Sequence, residues 1–423
     1  MKNTYHELTK HSFVSVREHP NYLDWSKQPT PFKIYQNYLN KTPLDLNKEF
    51  DRFIYLLGGI NAKKVYPGVE YYLRVIPSAG ALYPVEIYFQ SRGVKELEDG
   101  IYHYDIASNS IVLLYKIEKN EGVEFFFKDK REVKGFIFLY SSIYYRSSWK
   151  YKNRAFRYTL LDTGHALGAL EVSSYLYNHA YFIRFDFDKK RLNDIFGFKD
   201  QEFFLGSANV GVFNKKRVEK FNMRLDFVDG SRFFEKNSLI NDAYLKTLNL
   251  KNCKKNYRYP KLSFLKEKLY EAVLHRRSIR DFNKESIKKE EFEFILNYMS
   301  DFVPNDCDEE IKIYYIVNRV KNMQKGLYLK DKIIKNGDFS EKAKYLCLEQ
   351  DLAKDSSVTF FLTSSGKNYQ PLYQKAGLIG HRCYIASSYI QIGCSGIGAF
   401  YDDDVKDFLN IDDMILYALA IGK

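Results

Sequence analysis

The sequence predicts an α+β chain built from two related modules, each a sheet covered by helices. Three observations predict it. Landmarks in one half return in the same order in the other. Short apolar runs of strand length stand between long apolar runs of helix length. The composition, 45% hydrophobic and 28% charged over 423 residues, suits large cores and excludes a disordered chain. Thr163-Gly164-His165-Ala166 opens a helix-like run, and Lys375-Ala376-Gly377-Leu378 opens its counterpart, with Gly164 and Gly377 213 residues apart. Leu192 and Val405, which close the acidic-to-apolar segments that follow, are again 213 apart. Ala208-Asn209-Val210-Gly211 returns as Leu419-Ala420-Ile421-Gly422, and Gly100-Ile101-Tyr102 as Gly326-Leu327-Tyr328. Order shared over four landmarks marks a repeat.

The elements follow in chain order. Residues 1–40 form an irregular arm with Pro20, Pro29 and Pro31, and its Trp25, Phe32 and Tyr35 are expected to pack on the body. Residues 41–213 are the first module. There Val85-Glu86-Ile87-Tyr88-Phe89 alternates like a strand, 136–140 is a continuous apolar run suited to a strand buried on both faces, and 160–176 reads as a buried helix. Residues 214–261 are polar without linker composition, which predicts an ordered crossing segment. Residues 262–423 are the second module. Leu265, Leu269, Ala272 and Val273 recur at helical spacing, 358–362 repeats the buried-strand pattern, and 377–390 repeats the buried helix.

Charge and cysteine usage narrow the function classes. The net charge of +12 reads first as a Lys-rich solvated surface and second as a match for an anionic partner. Basic residues are scattered among acidic ones and no nucleic-acid-binding signature occurs, which argues against nucleic acid. Five cysteines with no C-x-x-C and no metal-ligand spacing exclude a zinc site and point to a reducing compartment. The polar start and the shortness of every apolar run lead to the expectation of a soluble, cytoplasmic protein with no membrane partner.

Three segments carry chemistry. Arg276-Arg277-Ser278-Ile279-Arg280 sets three guanidiniums and a hydroxyl in five residues at a helix end. That suits a phosphate, and equally complements a helix C-terminus. Pro77-Ser78-Ala79-Gly80-Ala81-Leu82 gathers small residues before a strand, where backbone groups can approach a flat ligand. A tight loop is the plainer reading. Gly393-Cys394-Ser395-Gly396-Ile397-Gly398-Ala399 reads as a glycine loop, either touching a cofactor or ending a helix. It lacks the strand–GxGxxG–helix context of a dinucleotide fold.

Taken in order, these segments resemble the nitroreductase-fold flavoproteins, and among them the SagB-type dehydrogenases in tandem form. Gly100-Ile101-Tyr102-His103-Tyr104, the Lys150–Tyr158 stretch with Gly164-His165, and the run from Gly396 to Val405 share in the resemblance. The resemblance implies two modules packed as an intramolecular pseudo-dimer, leaving the monomer open as the assembled state, with FMN where they meet. It implies that Arg276, Arg277, Ser278 and Arg280 hold phosphate and ribityl, that Gly396, Ile397, Gly398 and Ala399 lie along the ring, and that Pro77, Ser78, Ala79, Gly80, Ala81 and Leu82 face its other edge. The first module lacks an Arg-Ser-Arg counterpart, with Pro31-Phe32-Lys33-Ile34-Tyr35 in that region, and the second lacks the small-residue loop, with Ser300 to Cys307 in its place. One FMN per chain is therefore expected, not two.

The resemblance also marks Lys150 and Tyr151 as a catalytic pair that moves a proton while flavin takes hydride. A Lys-Tyr step in a Tyr-rich basic chain can also be ordinary surface. His165 reads as a buried helix residue and Cys394 as a small packed one. The leading expectation is an FMN-dependent dehydrogenase that oxidises a peptide-derived azoline to an azole. The alternatives are an NAD(P)H-dependent nitro- or quinone-type reductase, or a flavin-binding scaffold in a peptide-modifying complex.

Overall fold

The computed structural model describes the chain except residues 1–3, 19–21, 34, 36–38, 67–68, 96, 119, 222–223, 226–227, 229 and 231–232. Pro20 of the arm and Ile34 of the 31–35 segment lie outside the described residues. The chain forms two compact units. The first comprises Leu23–Arg258 with Val303–Asp308, and the second comprises Met1–Tyr22, Tyr259–Phe302 and Glu309–Lys423.

The first unit holds strands β1 (Lys41–Pro43), β2 (Ile60–Tyr66), β3 (Val69–Arg74), β4 (Val85–Arg92), β5 (Gly100–Asp105), β6 (Ser110–Lys116), β7 (Arg131–Ser142), β8 (Tyr181–Arg184) and β9 (Phe203–Arg217). Seven of them make an antiparallel sheet in the order β1-β6-β5-β4-β7-β9-β8, while β2 and β3 form a separate hairpin. The apolar run 136–140 becomes the heart of the central strand β7, paired on both sides and buried on both faces. The helix Ala155–Leu176 carries no solvent face, since Tyr175 alone among its residues is less than fully buried. A helix with no solvent face belongs inside a core. The alternation in β4 predicts one wet face, yet every residue of the strand is buried. Glu86 can go inside because Arg146 and His103 meet it, at 2.5 and 2.8 Å. Burial would push its carboxyl up, and the Arg146 charge with the His103 hydrogen bond holds it well below the usual range.

The second unit holds β10 (Lys312–Val317), β11 (Gly326–Leu329), β12 (Lys332–Asn336), β13 (Val358–Ser364), β14 (Gly393–Ile397) and β15 (Met414–Gly422) in the order β12-β11-β10-β13-β15-β14. This is the order β6-β5-β4-β7-β9-β8 of the first unit, position for position, with β1 as the first unit's extra edge. The helix Tyr369–Tyr389 takes the place of Ala155–Leu176 and is buried along nearly its whole length. The α+β class with two sheet-and-helix modules thus stands.

Three expectations change. Gly393–Ile397 is not a loop but an edge strand, paired with β15 from Gly393↔Gly422 to Ile397↔Ala418. Glycines leave a strand no side-chain pattern, so it reads as a turn. The arm divides: its first part, with the helix Thr4–Leu8, lies in the second unit, and its later part lies in the first. In the second unit His11 N–H donates to Asp402 at 2.9 Å and Lys10 pairs with Asp403 at 2.7 Å. In the first unit Trp149 Nε1 donates to Asp24 O at 2.9 Å, and Lys33 forms a buried ion pair with Glu202 at 2.6 Å. Finally, the odd count and the absence of C-x-x-C and metal-ligand spacing suggested no pairing, whereas Cys253 and Cys307 form a disulfide across 54 residues. It ties the crossing segment to 303–308, which sits beside β8 through Ile183 N–H to Pro304 O at 3.0 Å. Spacing along the chain cannot reveal a bridge between segments joined only in the fold. The crossing segment itself is ordered where described, with the helix Ser238–Lys246 and buried Phe221 and Leu225.

Candidate functional site

In the first unit, the small-residue segment 77–82 leaves β3 and enters β4 through a single strained turn. Gly80 has φ +63°, and Ala81 and Tyr83 follow at +54° and +47°. Positive φ at non-glycine residues costs energy and marks a turn held by its surroundings. Local bonds close it: Ala81 N–H to Ser78 O at 3.1 Å and Leu82 N–H to Ala79 O at 3.3 Å. Arg74 N–H donates to the Tyr83 hydroxyl at 3.0 Å, and the Arg74 guanidinium lies 4.5 Å from the centre of the Tyr83 ring. Pro77 and Leu82 are buried and Gly80 is exposed, so the turn presents its glycine outward.

Lys150 and Tyr151 meet this turn from the helix Tyr145–Tyr151. A Cβ placed on Gly80 would lie 2.7 Å from the Tyr151 hydroxyl and 3.3 Å from Lys150 Nζ. Only glycine permits that approach. Tyr151 is braced by the Tyr158 ring, with centroids 4.3 Å apart. The sequence-predicted pair and the sequence-predicted loop are therefore neighbours.

Sequence reasoning missed the group beneath the loop. Asp162, buried within the helix Ala155–Leu176, accepts from the Ser78 hydroxyl at 2.5 Å and from Ala79 N–H at 3.3 Å. Burial pushes its carboxyl up to about 7, against the opposing pull of the Ser78 and Ala79 hydrogen bonds and of Arg74. The signal was an acid in the middle of an otherwise buried helix, where a charge is costly without a partner. His165 is buried in the same helix, as expected.

In the second unit, the helix Lys266–His275 ends at Arg276, and the chain then runs beside β14, with Ile279 N–H donating to Cys394 O at 3.1 Å. Tyr384 organises the contact: its hydroxyl meets Ser278 Oγ at 2.8 Å and accepts from Gly396 N–H at 2.7 Å, while its ring centre lies 5.3 Å from the Arg276 guanidinium. Arg280 donates to Ser395 Oγ at 3.1 Å. Arg277 turns back to the helix end and donates to Leu274 O at 3.3 Å and Arg276 O at 2.6 Å, so the helix-terminus reading describes this one residue. A Cβ on Gly396 would lie 1.9 Å from the Tyr417 hydroxyl, which explains glycine there. Ile397 is buried at the end of β14, and Gly398 and Ala399 follow it. Cys394 is buried with its sulfur 3.7 Å from that of Cys383, and burial pushes its thiol well up.

The donor set fits the phosphate of FMN. Arg276 and Arg280 bring charge, Ser278 brings a hydroxyl, and Arg280, which is exposed, makes no ion pair among the described residues. Comparison with known proteins agrees in fold. Residues 273–423 match the model of the nitroreductase family. A crystal structure of a provisionally named nitroreductase from Anabaena variabilis is 25% identical and superposes with a TM-score of 0.79, over 99% of this chain and 98% of its own. The chain thus has the nitroreductase fold throughout. A provisionally named nitroreductase of Methanocaldococcus jannaschii is 27% identical over 128 residues, 29% of this chain. The match spans 60% of that relative's length. A chain of the E. coli microcin synthetase McbBCD complex aligns over 48% of this chain and 83% of its own at 15% identity, with a TM-score of 0.32, too low to bear on function.

Proposed function

We propose that the protein is an FMN-dependent oxidoreductase of the SagB-type dehydrogenase kind, oxidising a peptide-derived azoline to an azole. The observation that carries the reading is the convergence of Lys150 Nζ and the Tyr151 hydroxyl on Gly80. It sets a proton-transfer pair against the small-residue loop that the family resemblance assigns to the flavin ring. In this reading Arg276, Ser278 and Arg280 hold the phosphate, Arg277 supports them from the helix end, and the segment from Gly396 to Ala399 borders the ring. The family resemblance assigns the loop from Pro77 to Leu82 to the other edge of the ring, and one FMN per chain is the stoichiometry proposed. When bound, FMN supplies the hydride acceptor. The chain's own work is to bind and orient the heterocycle and to take the proton. Oxidation of azoline to azole removes a hydride from one ring carbon and a proton from its neighbour, and the Lys150–Tyr151 pair receives that proton.

Anaerobic reduction of the bound flavin tests the proposal. An azoline-containing peptide is expected to bleach it, with azole appearing in equal amount, while NAD(P)H alone leaves it oxidised. Rapid bleaching by NAD(P)H, with azoline peptides inert, would establish the reductase alternative instead. Flavin that binds and responds to neither would favour the scaffold.

A further inference from the structure

The turn from Ser78 to Tyr83 holds three consecutive-region positive φ values, and something outside the turn must keep it so. Its local hydrogen bonds span Ser78 to Leu82 and do not reach Tyr83 N–H. That N–H donates to Ser78 Oγ at 3.0 Å. Ser78 in turn gives its single hydroxyl proton to Asp162 Oδ2 at 2.5 Å, and Asp162 Oδ1 accepts from Ala79 N–H. One carboxylate therefore grips the entrance of the turn directly and its exit through Ser78. The outer side of the same turn is Gly80, against Lys150 and Tyr151.

We propose that Asp162 is the positioning residue of this site, and that its charge state sets the turn from Ser78 to Tyr83 against Lys150 and Tyr151. The inference rests on the flavoenzyme reading for its consequence in catalysis, but not for its geometry.

The hydrogen-bond directions make the link to protons. As a carboxylate, Asp162 only accepts, so Ser78 must donate to it and keeps a lone pair for Tyr83 N–H. As a neutral acid, Asp162 donates through Oδ2, the Ser78 proton must find another acceptor, and the grip on the turn changes. The other charged and titratable groups around it are few. Arg74 faces it electrostatically from the end of β3. Tyr83 closes the turn, and Lys150 and Tyr151 approach it from their helix. Tyr158 and His165 lie one helical turn away on the element that carries Asp162. Burial leaves the carboxyl with an affinity for protons near neutrality, so the switch would operate at ordinary pH.

The test uses the full chain. Infrared difference spectra against pH report the protonated carboxyl, and hydrogen exchange, corrected for intrinsic rates, reports backbone protection over residues 78–83. In the wild type both are expected to change with one midpoint near 7, protection of the turn falling about tenfold as the proton is taken up. Asp162→Asn should abolish the infrared titration and make protection of the turn independent of pH. Ser78→Ala should keep the titration but uncouple the turn from it, and it decides the matter if D162N does not fold. The pH profile of kcat in the flavin-loaded enzyme should lose its limb near 7 in D162N, with KM changed less. Protection that ignores the titration in the wild type, or that keeps its pH dependence in both variants, would overturn the proposal. A chain that binds no FMN yet shows the coupled titration would refute the flavoenzyme reading and leave the positioning role standing.

Discussion

At the scale of single residues, the decisive groups are placed where their charge state matters. Asp162 makes a thermodynamic prediction apart from catalysis. Its carboxyl titrates near 7 in the folded chain against 3.8 ordinarily, because burial disfavours the charge. Between those values the folded form holds a proton that the unfolded form has released, so stability falls as pH rises through that window and levels off above about 7. The contribution is about 4 kcal/mol, by the energy of a pKa shift of this size. Chemical denaturation of wild type and Asp162→Asn across pH 4–8 should show that slope in the wild type alone; equal slopes would show that the carboxyl is not protonated in the fold. Lys150 and Tyr151 carry the second prediction. Lys150→Ala and Tyr151→Phe should each lower azoline oxidation by about 10²–10⁴-fold, the range of general acid–base catalysis, with flavin content unchanged. Turnover and flavin absorbance on one sample check it. The three guanidiniums and the Lys-Tyr pair were legible in the sequence because charge and family pattern stand out. Asp162 was not: Thr163-Gly164-His165 drew attention as a repeat landmark, and nothing along the chain says that the residue before it reaches back across 84 positions to Ser78.

At the scale of elements, the phosphate clamp proposed for the second unit depends on a strand that does not look like one. β14 fixes Cys394, Ser395 and Gly396 in register with β15, and the chain after Arg276 takes its position from Cys394 O. Ser278, Tyr384 and Gly396 then share one hydroxyl network. Arg276→Ala combined with Arg280→Ala should weaken FMN binding by more than about tenfold, since each charge-assisted bond contributes about 1.5–3 kcal/mol. Retention of flavin through dialysis in the double variant would refute the clamp. The long buried helices and the central strands β7 and β13 were legible from apolar runs alone. The glycine-rich edge strand was not, because its pairing partner, not its own side chains, makes it a strand. Nor was the fate of 303–308, which joins the first unit through β8 and through a disulfide to Cys253.

At the scale of the whole molecule, the main fact is two sheet-and-helix units with the same strand order, and much of that was legible in the sequence. The 213-residue offset pairs two long helices, and both segments form long buried helices, Ala155–Leu176 and Tyr369–Tyr389, beside sheets of matching strand order. What the offset could not show is how the ends are shared: the arm contributes to both units, and the crossing segment belongs to the first. The sharing bears on the proposal of one flavin per chain. In the segment that the family resemblance sets against an Arg-Ser-Arg, Lys33 is committed to Glu202 in a buried ion pair and Arg74 donates to Pro31 O at 2.7 Å. A cation held that way is not available to a phosphate. In the second module the stretch that would need the small-residue loop instead supplies 303–308 to the first unit. Under the proposal of one FMN per chain, both would-be halves of a second flavin site are spent on structure. The measurement that tests the central claim most directly is flavin released on denaturation, divided by chain concentration, after saturation with FMN and removal of the excess. One FMN per chain gives a ratio near one, and a ratio near zero or near two would contradict it.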